Sequence, residues 1–359
     1  MSTPNPHDVV LLCNPQAGGR WRALADVLDS DEAKGVRRIV TDEIDDVAEA
    51  LASVGRRAQL LCIYGGDGTI YHVINQLLTH PHDPIPRLAF LGGGTMNVTG
   101  RLCGMTGSPG DNFRAVMRAY LTDTLFWRDL PVVEVQQGRS RYYGFTFGMG
   151  PLVRILHRYE QGRKGKLAAL GIGVQAIAAA LGPIGLGMND LLAEMPATVH
   201  VDGERVPFDR FVAVFANTTG AVNRMVEPFV QKRSRDQFNF LAYAVSAREF
   251  AFNVPKLMRA QLPLDHGSLP SWLLQPKNLV RLLRGQMKDL PADPRYVNHP
   301  AQSLRVDTTE PVFTLDGEVL PLGPDDDAPA DAAAASPLSH TLEVRLGPSL
   351  PLATINPTP

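Results

Sequence analysis

Residues Leu60 to Leu78 read LLCIYGGDGTIYHVINQLL, a short apolar run, then glycines around an aspartate, then apolar residues at a new period. The run suits a strand buried on both faces and the later pattern suits a helix, so the glycines mark a strand-to-helix connection. The unit recurs. Val9 to Cys13 is followed by Asn14, Pro15, Gly18 and Gly19, then by Trp21, Leu24, Ala25 and Leu28 at helical spacing. Arg37 to Val40 is a second candidate strand, with Thr41 or Asp42 placed to cap a helix bearing Ile44, Val47, Ala48 and Leu51. Leu88 to Leu91 is a further run, and Phe113, Val116, Met117, Tyr120 and Leu121 form the helical pattern after its loop. Strands and helices alternating in this way predict an α/β N-terminal domain on a parallel sheet covered on both faces.

After Trp127 the pattern changes. Pro131 to Gln136, Arg141 to Phe147, Thr198 to Phe208, Phe211 to Asn217, Phe238 to Val245, Leu304 to Thr308, Val312 to Leu320 and Leu342 to Leu346 read as strands joined mainly by turns. Helices are expected near 152–181 and 247–262. A chain of 359 residues exceeds what one core usually supports. The expected division is an α/β domain over 1–128 and a β-sandwich-rich domain over 129–359. The stretch 321–337, PLGPDDDAPADAAAASP, has too few apolar residues to pack and is expected to be a mobile loop.

With 44% apolar residues and a net charge of -2, the chain lacks the strongly basic footprint of a general nucleic-acid binder. Its cysteines, Cys13, Cys62 and Cys103, form no CxxC pair and read as buried free thiols. The opening MSTPNPHDVV has no signal-peptide blocks, so the cytoplasm is the default expectation. Leu167 to Met188 is long enough to span a membrane, with Gln175 its only strongly polar side chain. Its many glycines and alanines favour a buried helix followed by a glycine-rich loop.

Three of the candidate parallel strands end in unusual loops: NPQAGG at 14–19, GGDGT at 65–69 and GGGTMN at 92–97. In a parallel sheet these loops emerge on one edge, where ligands bind. Glycines let backbone N–H groups approach an anion, helix N-termini add partial positive charge, and Thr69 and Thr95 bring hydroxyl donors, so phosphate is the natural guest. Asp67 would repel a phosphate unless it handles a metal ion or a proton: a magnesium ion near it, or a hydroxyl whose proton it accepts, resolves the conflict. The plainer reading is a tight connection with Asp67 as a helix cap. The convergence of three loops favours phosphate. No GxxxxGK[ST] or HExxH occurs, the GxGxxA match at 171–176 follows no strand, and His80 and His82 lie in a proline-rich loop.

With LLCNPQAGG, YGGDGTIYHVIN, LGGGTMNVTGR, RKGKLAAL and LDGE at 315–318, the chain resembles the diacylglycerol kinase catalytic-domain family, which includes bacterial lipid kinases, sphingosine kinases and ceramide kinases. The resemblance implies a nucleotide in a cleft between an α/β domain and a β-sandwich, an architecture shared with NAD kinase, and transfer of the γ-phosphate of ATP to a lipid hydroxyl with Mg²⁺. It implies that Asn14, Pro15, Gly18 and Thr41 border the nucleotide, and that Gly65, Gly66, Asp67, Gly68 and Thr69 hold its phosphates. Gly94, Thr95 and Asn97 would complete that site. Glu318 would accept the substrate proton, with Asp316 beside it and Asp67 also catalytic. The same DGE tripeptide occurs at Asp202, Gly203 and Glu204, where it reads as a hairpin turn, and local pattern alone would assign 316–318 the same way.

Two positions depart from the family pattern. Val98 stands where many members have aspartate, and the segment Arg235 to Asn239 lacks the glycine that accompanies a structural metal site in some bacterial members, leaving Asp236 as the candidate ligand. The expected partner is a lipid at a membrane surface, on the inner face. Basic residues among Arg154, Arg158, Arg163, Lys164 and Lys166, and again among Lys277, Arg281, Arg284 and Lys288, offer contacts to anionic lipid. No nucleic-acid partner is expected, and a homodimer is compatible with the sequence. The alternatives are NAD kinase, which also uses GGDGT but usually carries an Asn-Glu pair not found after the second loop, and a nucleotide-binding regulatory protein without catalysis.

Overall fold

Apolar runs too short for helices and continuous enough to be buried on both faces become the strands β1 (Val9–Cys13), β3 (Leu60–Tyr64) and β4 (Arg87–Phe90), and the half-polar β2 (Arg37–Val40) joins them. The computed structural model describes residues 4–15, 21–41, 46–54, 58–80, 85–93, 100–101, 103–150, 153–154, 193–220, 227–265, 291–323 and 340–355. The strands are parallel in the order β4-β3-β1-β2. Every residue of β1 and β3 is buried, whereas the edge strand β2 exposes Arg37, Arg38 and Val40. Helices α1 (Trp21–Leu28), α2 (Asp46–Val54), α3 (Asp67–Thr79) and α4 (Pro109–Leu121) alternate with them. Ser108 caps α4 by accepting from the Asp111 N–H, with Pro109 at the first helical position.

The remainder is built on β5 (Phe126–Gln137), β6 (Ser140–Gly144), β7 (Thr146–Met149), β8 (Met195–Val201), β9 (Glu204–Arg205), β10 (Arg210–Phe211), β11 (Ala213–Asn217) and β12 (Phe238–Tyr243). Helix α5 (Ala247–Leu257) follows, then β13 (Tyr296–Ala301), β14 (Ser303–Thr308), β15 (Val312–Leu315), β16 (Glu318–Pro321) and β17 (His340–Thr354). One sheet is antiparallel, in the order β13-β12-β11-β7-β15-β16. It packs against the half of the mixed sheet formed by β5, β8, β14 and β17. Val133, Val199, Val306 and Val344 from one side meet Phe147, Phe240 and Phe313 from the other in a single sandwich core. The far face of the antiparallel sheet is covered by α5 through Leu241, Tyr243 and Leu257.

The two halves share β17. Its first part pairs with β14, from Thr308↔His340 to Ser303↔Arg345, and its last part lies parallel to β4 at Leu352↔Leu88. β5 runs antiparallel beside it, from Phe126↔Thr354 to Gln136↔Glu343, with a bulge between Leu346 and Ser349. Leu350, Leu352 and Ala353 thus enter the core of the N-terminal sheet. The α/β sheet therefore takes in a strand from the far end of the chain.

β13 is a strand that alternation does not signal, because YVNHPA contains Asn298, His299 and Pro300. The buried Asn298 is satisfied by its neighbours: its amide donates to Pro228 O and Tyr243 Oη, and its Oδ1 accepts from the Val230 N–H. The expected strand at 198–208 divides at a turn, Asp202 and Gly203, with φ of 50° and 85°. The expected helix over 247–262 ends at Leu257, two residues past Pro255. The helical expectation at 152–181 and the loop at 321–337 lie largely outside the described residues. Cys13, Cys62 and Cys103 are free and buried. Among the described residues no helix is long and apolar enough to cross a membrane.

Candidate active site

Backbone hydrogen bonds at the carboxyl ends of the parallel strands gather the first candidate residues. Asn14 N–H donates to Tyr64 O and Thr41 N–H to Cys13 O, both at 2.9 Å, and Gly93 N–H donates to Gly65 O at 3.0 Å. The loops after β1, β3 and β4 consequently stand side by side. Asn14 Nδ2 donates to Thr69 Oγ1 at 3.2 Å, tying the first loop to the first turn of α3. Thr41 is buried, its hydroxyl donating to Cys13 O at 3.3 Å. Close approach explains two of the glycines. A Cβ on Gly93 would stand 2.8 Å from Gly65 O, and one on Gly65 would meet the Thr69 side chain, with Oγ1 at 2.7 Å.

Helix α3 begins at Asp67 after Gly66, so its first-turn N–H groups, which have no carbonyl of the helix itself to donate to, face this edge. Gly66 holds the capping position and brings no side-chain cap to it, and the N-terminal end of a helix favours an anion. Asp67 is thus the first residue of the helix, not its cap. Pro15, like Asn14, is described at the mouth of the first loop, whereas Gly18, Gly94, Thr95 and Asn97 lie outside the described residues.

The second domain supplies the opposite wall. β15 and β16 form a hairpin whose two turn residues, Asp316 and Gly317, have φ of 54° and 94°, the positive pair that a tight Asp-Gly turn needs. Asp316 N–H donates to Thr146 O, and its carboxylate accepts from the Phe145 N–H at 2.9 Å and the Thr146 N–H at 2.8 Å. Asp202 does the same in the other DGE turn, accepting from the Gln302 and Ser303 N–H groups at 2.8 Å. Both aspartates lock a hairpin to an adjoining chain segment. What separates them is the neighbourhood. Glu204 is exposed, whereas Glu318 lies with Oε1 only 2.5 Å from where a Cβ on Gly68 would be.

Asp67, Asp316 and Glu318 are close enough to feel one another. Burial pushes the Asp316 carboxyl up from 3.8 to about 7; the two backbone N–H groups oppose this, and the charges of Asp67 and Glu318 add to it. Such mutual repulsion favours a cation at this mouth. Among the described residues no group of three or more His, Cys, Asp or Glu has the geometry to hold a metal ion. The residues fit an ion that arrives with phosphate oxygens and takes only one or two carboxylates, the usual arrangement for Mg²⁺.

Asp236 stands elsewhere. Its carboxylate accepts from Ser234 Oγ at 2.6 Å and Gln302 Nε2 at 2.8 Å, which hold its pKa below the usual range. The backbone carbonyls near it are taken by an arginine: Arg233 donates from Nε to Thr218 O and from Nη1 to Ser234 O and Gln237 O. A guanidinium thus gathers three backbone carbonyls of this region.

Two site-building residues carry no local signature. Asn75 binds α3 to β6, donating to Tyr71 O and Tyr143 O and accepting from the Tyr143 N–H at 2.8 Å. Tyr71, one turn earlier, is buried, and burial together with Tyr142, Glu318 and Asp316 pushes its phenol up. The only hint of either is a polar group on the inward face of an otherwise apolar helix.

Residues 8–124 match the family model of the diacylglycerol kinase catalytic domain. A solved diacylglycerol kinase from Bacillus anthracis str. Sterne aligns over 97% of both chains at 14% identity, with a TM-score of 0.58. A candidate diacylglycerol kinase from the same strain gives 0.61 at the same identity and coverage. Yeast NADH kinase complexed with NADH aligns over 98% of this chain and 84% of its own at 12% identity, with a TM-score of 0.47. No curated protein matches the chain. The Bacillus structures establish the common fold, with an α/β domain beside an antiparallel sheet. The match over residues 8–124 is to a kinase catalytic domain, and the chain is a kinase.

Proposed function

We propose that this kinase transfers the γ-phosphate of ATP to the hydroxyl of a lipid, of the diacylglycerol or the sphingoid and ceramide type. The observation that carries this reading is the placement of Glu318 against Gly68, which sets a carboxylate from the second domain directly over the phosphate-binding turn of the first. The glycine loop and the first N–H groups of α3 cradle the phosphates, while the hydrogen bond from Asn14 to Thr69 braces the turn. Asp67 would hold Mg²⁺ together with the phosphate oxygens, and that ion supplies charge neutralisation.

In the transfer, the acceptor oxygen bonds to the γ-phosphorus, the bond to the β-γ bridging oxygen breaks, and ADP leaves. Glu318 takes the hydroxyl proton. Asp316 is the positioning residue, since its oxygens are committed to the Phe145 and Thr146 N–H groups and fix the turn that presents Glu318. The test is purified protein with γ-labelled ATP, Mg²⁺ and a panel of acceptors: diacylglycerol, a sphingoid base, ceramide and NAD. Label in one of the lipids supports the reading. Label in NAD alone, or in none of them, overturns it.

A further inference from the structure

A cavity of about 760 Å³ opens at the end of β11, lined by Arg128, Lys232, Arg233, Arg235 and Arg259, with Glu227 the only carboxylate among the described lining residues. Among the described residues no ion pair takes up any of these five cations, although nine other lysines and arginines are so paired. Like charges gathered round a concavity focus a positive field and favour an anion within it. One of them is already fixed. Arg233 is held by the carbonyls of Thr218, Ser234 and Gln237, and its Nη2 makes no hydrogen bond with the described residues. Burial, with the charge of Arg128 added, lowers its pKa, so an anion would relieve both.

Apolar side chains stand beside this charge. Val230 is 45% exposed between the lining residues Phe229 and Gln231, and Met258 of the cavity wall is 36% exposed. On α5, Phe252 is 72% exposed, Lys256 follows one turn later on the same helix face, and Arg259 stands in the turn just past the helix end at Leu257. A site for a small soluble anion gives no role to such residues. Cations that take phosphates, flanked by apolar side chains that enter the acyl boundary, suit the surface of an anionic bilayer.

We propose that this cavity seats the phosphate of an anionic phospholipid headgroup, with Phe252, Val230 and Met258 entering the bilayer surface around it. The cavity lies on the sheet edge that carries Asp316 and the turn presenting Glu318. Asn239 of its wall pairs with Asn217, Asn217 Nδ2 donates to Thr146 Oγ1, and Thr146 N–H donates to Asp316. Docking through this face brings the lipid-facing edge of the cleft to the membrane. The purpose of the docking rests on the lipid-kinase reading, but the binding itself does not.

The test is flotation of the full chain, without nucleotide, on vesicles of phosphatidylcholine alone and of phosphatidylcholine mixed equally with phosphatidylglycerol. Wild type is expected to float with the mixed vesicles only, less so as salt rises. The double variant Lys232→Glu, Arg259→Glu should lose at least about tenfold in vesicle affinity, and Phe252→Ser should lose affinity while keeping the preference for anionic lipid. Melting curves confirm that the variants are folded. Equal flotation of wild type and the charge-reversed variant overturns the proposal, as does failure of wild type to bind mixed vesicles. Calorimetric binding of inorganic phosphate by a wild type that ignores vesicles overturns it in favour of a soluble-anion site. Phosphate transfer to a detergent-dispersed acceptor tests the kinase reading separately, because that assay contains no bilayer.

Discussion

The carboxylate of Glu318 occupies the space over Gly68 that any larger residue would need, with Oε1 2.5 Å from the position of a Cβ there. Gly68→Ala should therefore push the tip of a flexible side chain aside without disturbing the backbone. The expected outcome is a melting temperature close to wild type and a loss of turnover on the order of 10²-fold, as for a misplaced reacting group. Matched thermal melts and initial-rate assays check this; an unimpaired Gly68→Ala enzyme would remove Glu318 from the reaction.

Glu318→Gln keeps the shape of the side chain and removes its basicity. Its kcat should fall by about 10²–10⁴-fold with little change in KM for ATP. Asp67→Asn should lose turnover with a raised Mg²⁺ requirement. A Mg²⁺ titration of each variant separates the two roles, since only the Asp67 change should shift the midpoint.

Asp316 gives the fold a pH dependence whose sign can be worked out. Its folded pKa is raised from 3.8 to about 7, so between those values the native state binds the proton more tightly than the unfolded chain. Its contribution to stability is full below about pH 4 and declines as pH rises to about 7, then levels off. Asp316→Asn still offers an oxygen to the Phe145 and Thr146 N–H groups but cannot titrate. Relative to wild type, the variant should gain in melting temperature between pH 5 and pH 7.5. A parallel pair of melting curves across that range would refute the assignment.

Asn75 makes three hydrogen bonds that hold α3 to its own preceding turn and to β6. Asn75→Leu should destabilise the protein by about 1–3 kcal/mol, because the Tyr143 N–H loses its partner in a part-buried setting. It should also lower kcat, because α3 carries the turn proposed to bind phosphate. Urea denaturation and steady-state kinetics on the same preparation measure both effects.

The thiols of Cys13 and Cys103 are pushed up to about 12 and about 11 by burial, and Cys62 is raised further. Native protein at pH 8 should react with a thiol reagent only as fast as it unfolds, and rapidly in denaturant. Fast modification of any cysteine in the native state would contradict the burial.

Much of this molecule could be read along the chain. The runs at 9–13, 60–64 and 88–91 are short, apolar and separated by helical patterns, so their place in a parallel sheet follows from local periodicity. The same sheet brings the loops after Cys13, Tyr64 and Phe90 to one edge, because parallel strands share a direction. The turn at Asp316 and Gly317 was equally legible, being the Asp-Gly pair that positive φ requires.

What distinguishes that turn from its twin at Asp202 and Gly203 was not legible. Both tripeptides dictate the same hairpin, and both aspartates accept two backbone N–H groups. Only the packing of the two sheets places Glu318 against Gly68, two segments far apart in the chain. The return of β17 to β4, the pinning of α3 by Asn75 and the gathering of Arg128 with Arg233 and Arg259 are of the same kind. Local sequence sets dihedral preference and periodicity, which act over a few residues. Contacts between distant segments are chosen by which whole arrangement buries the most apolar surface with its polar groups satisfied, and that choice exists only in the folded chain.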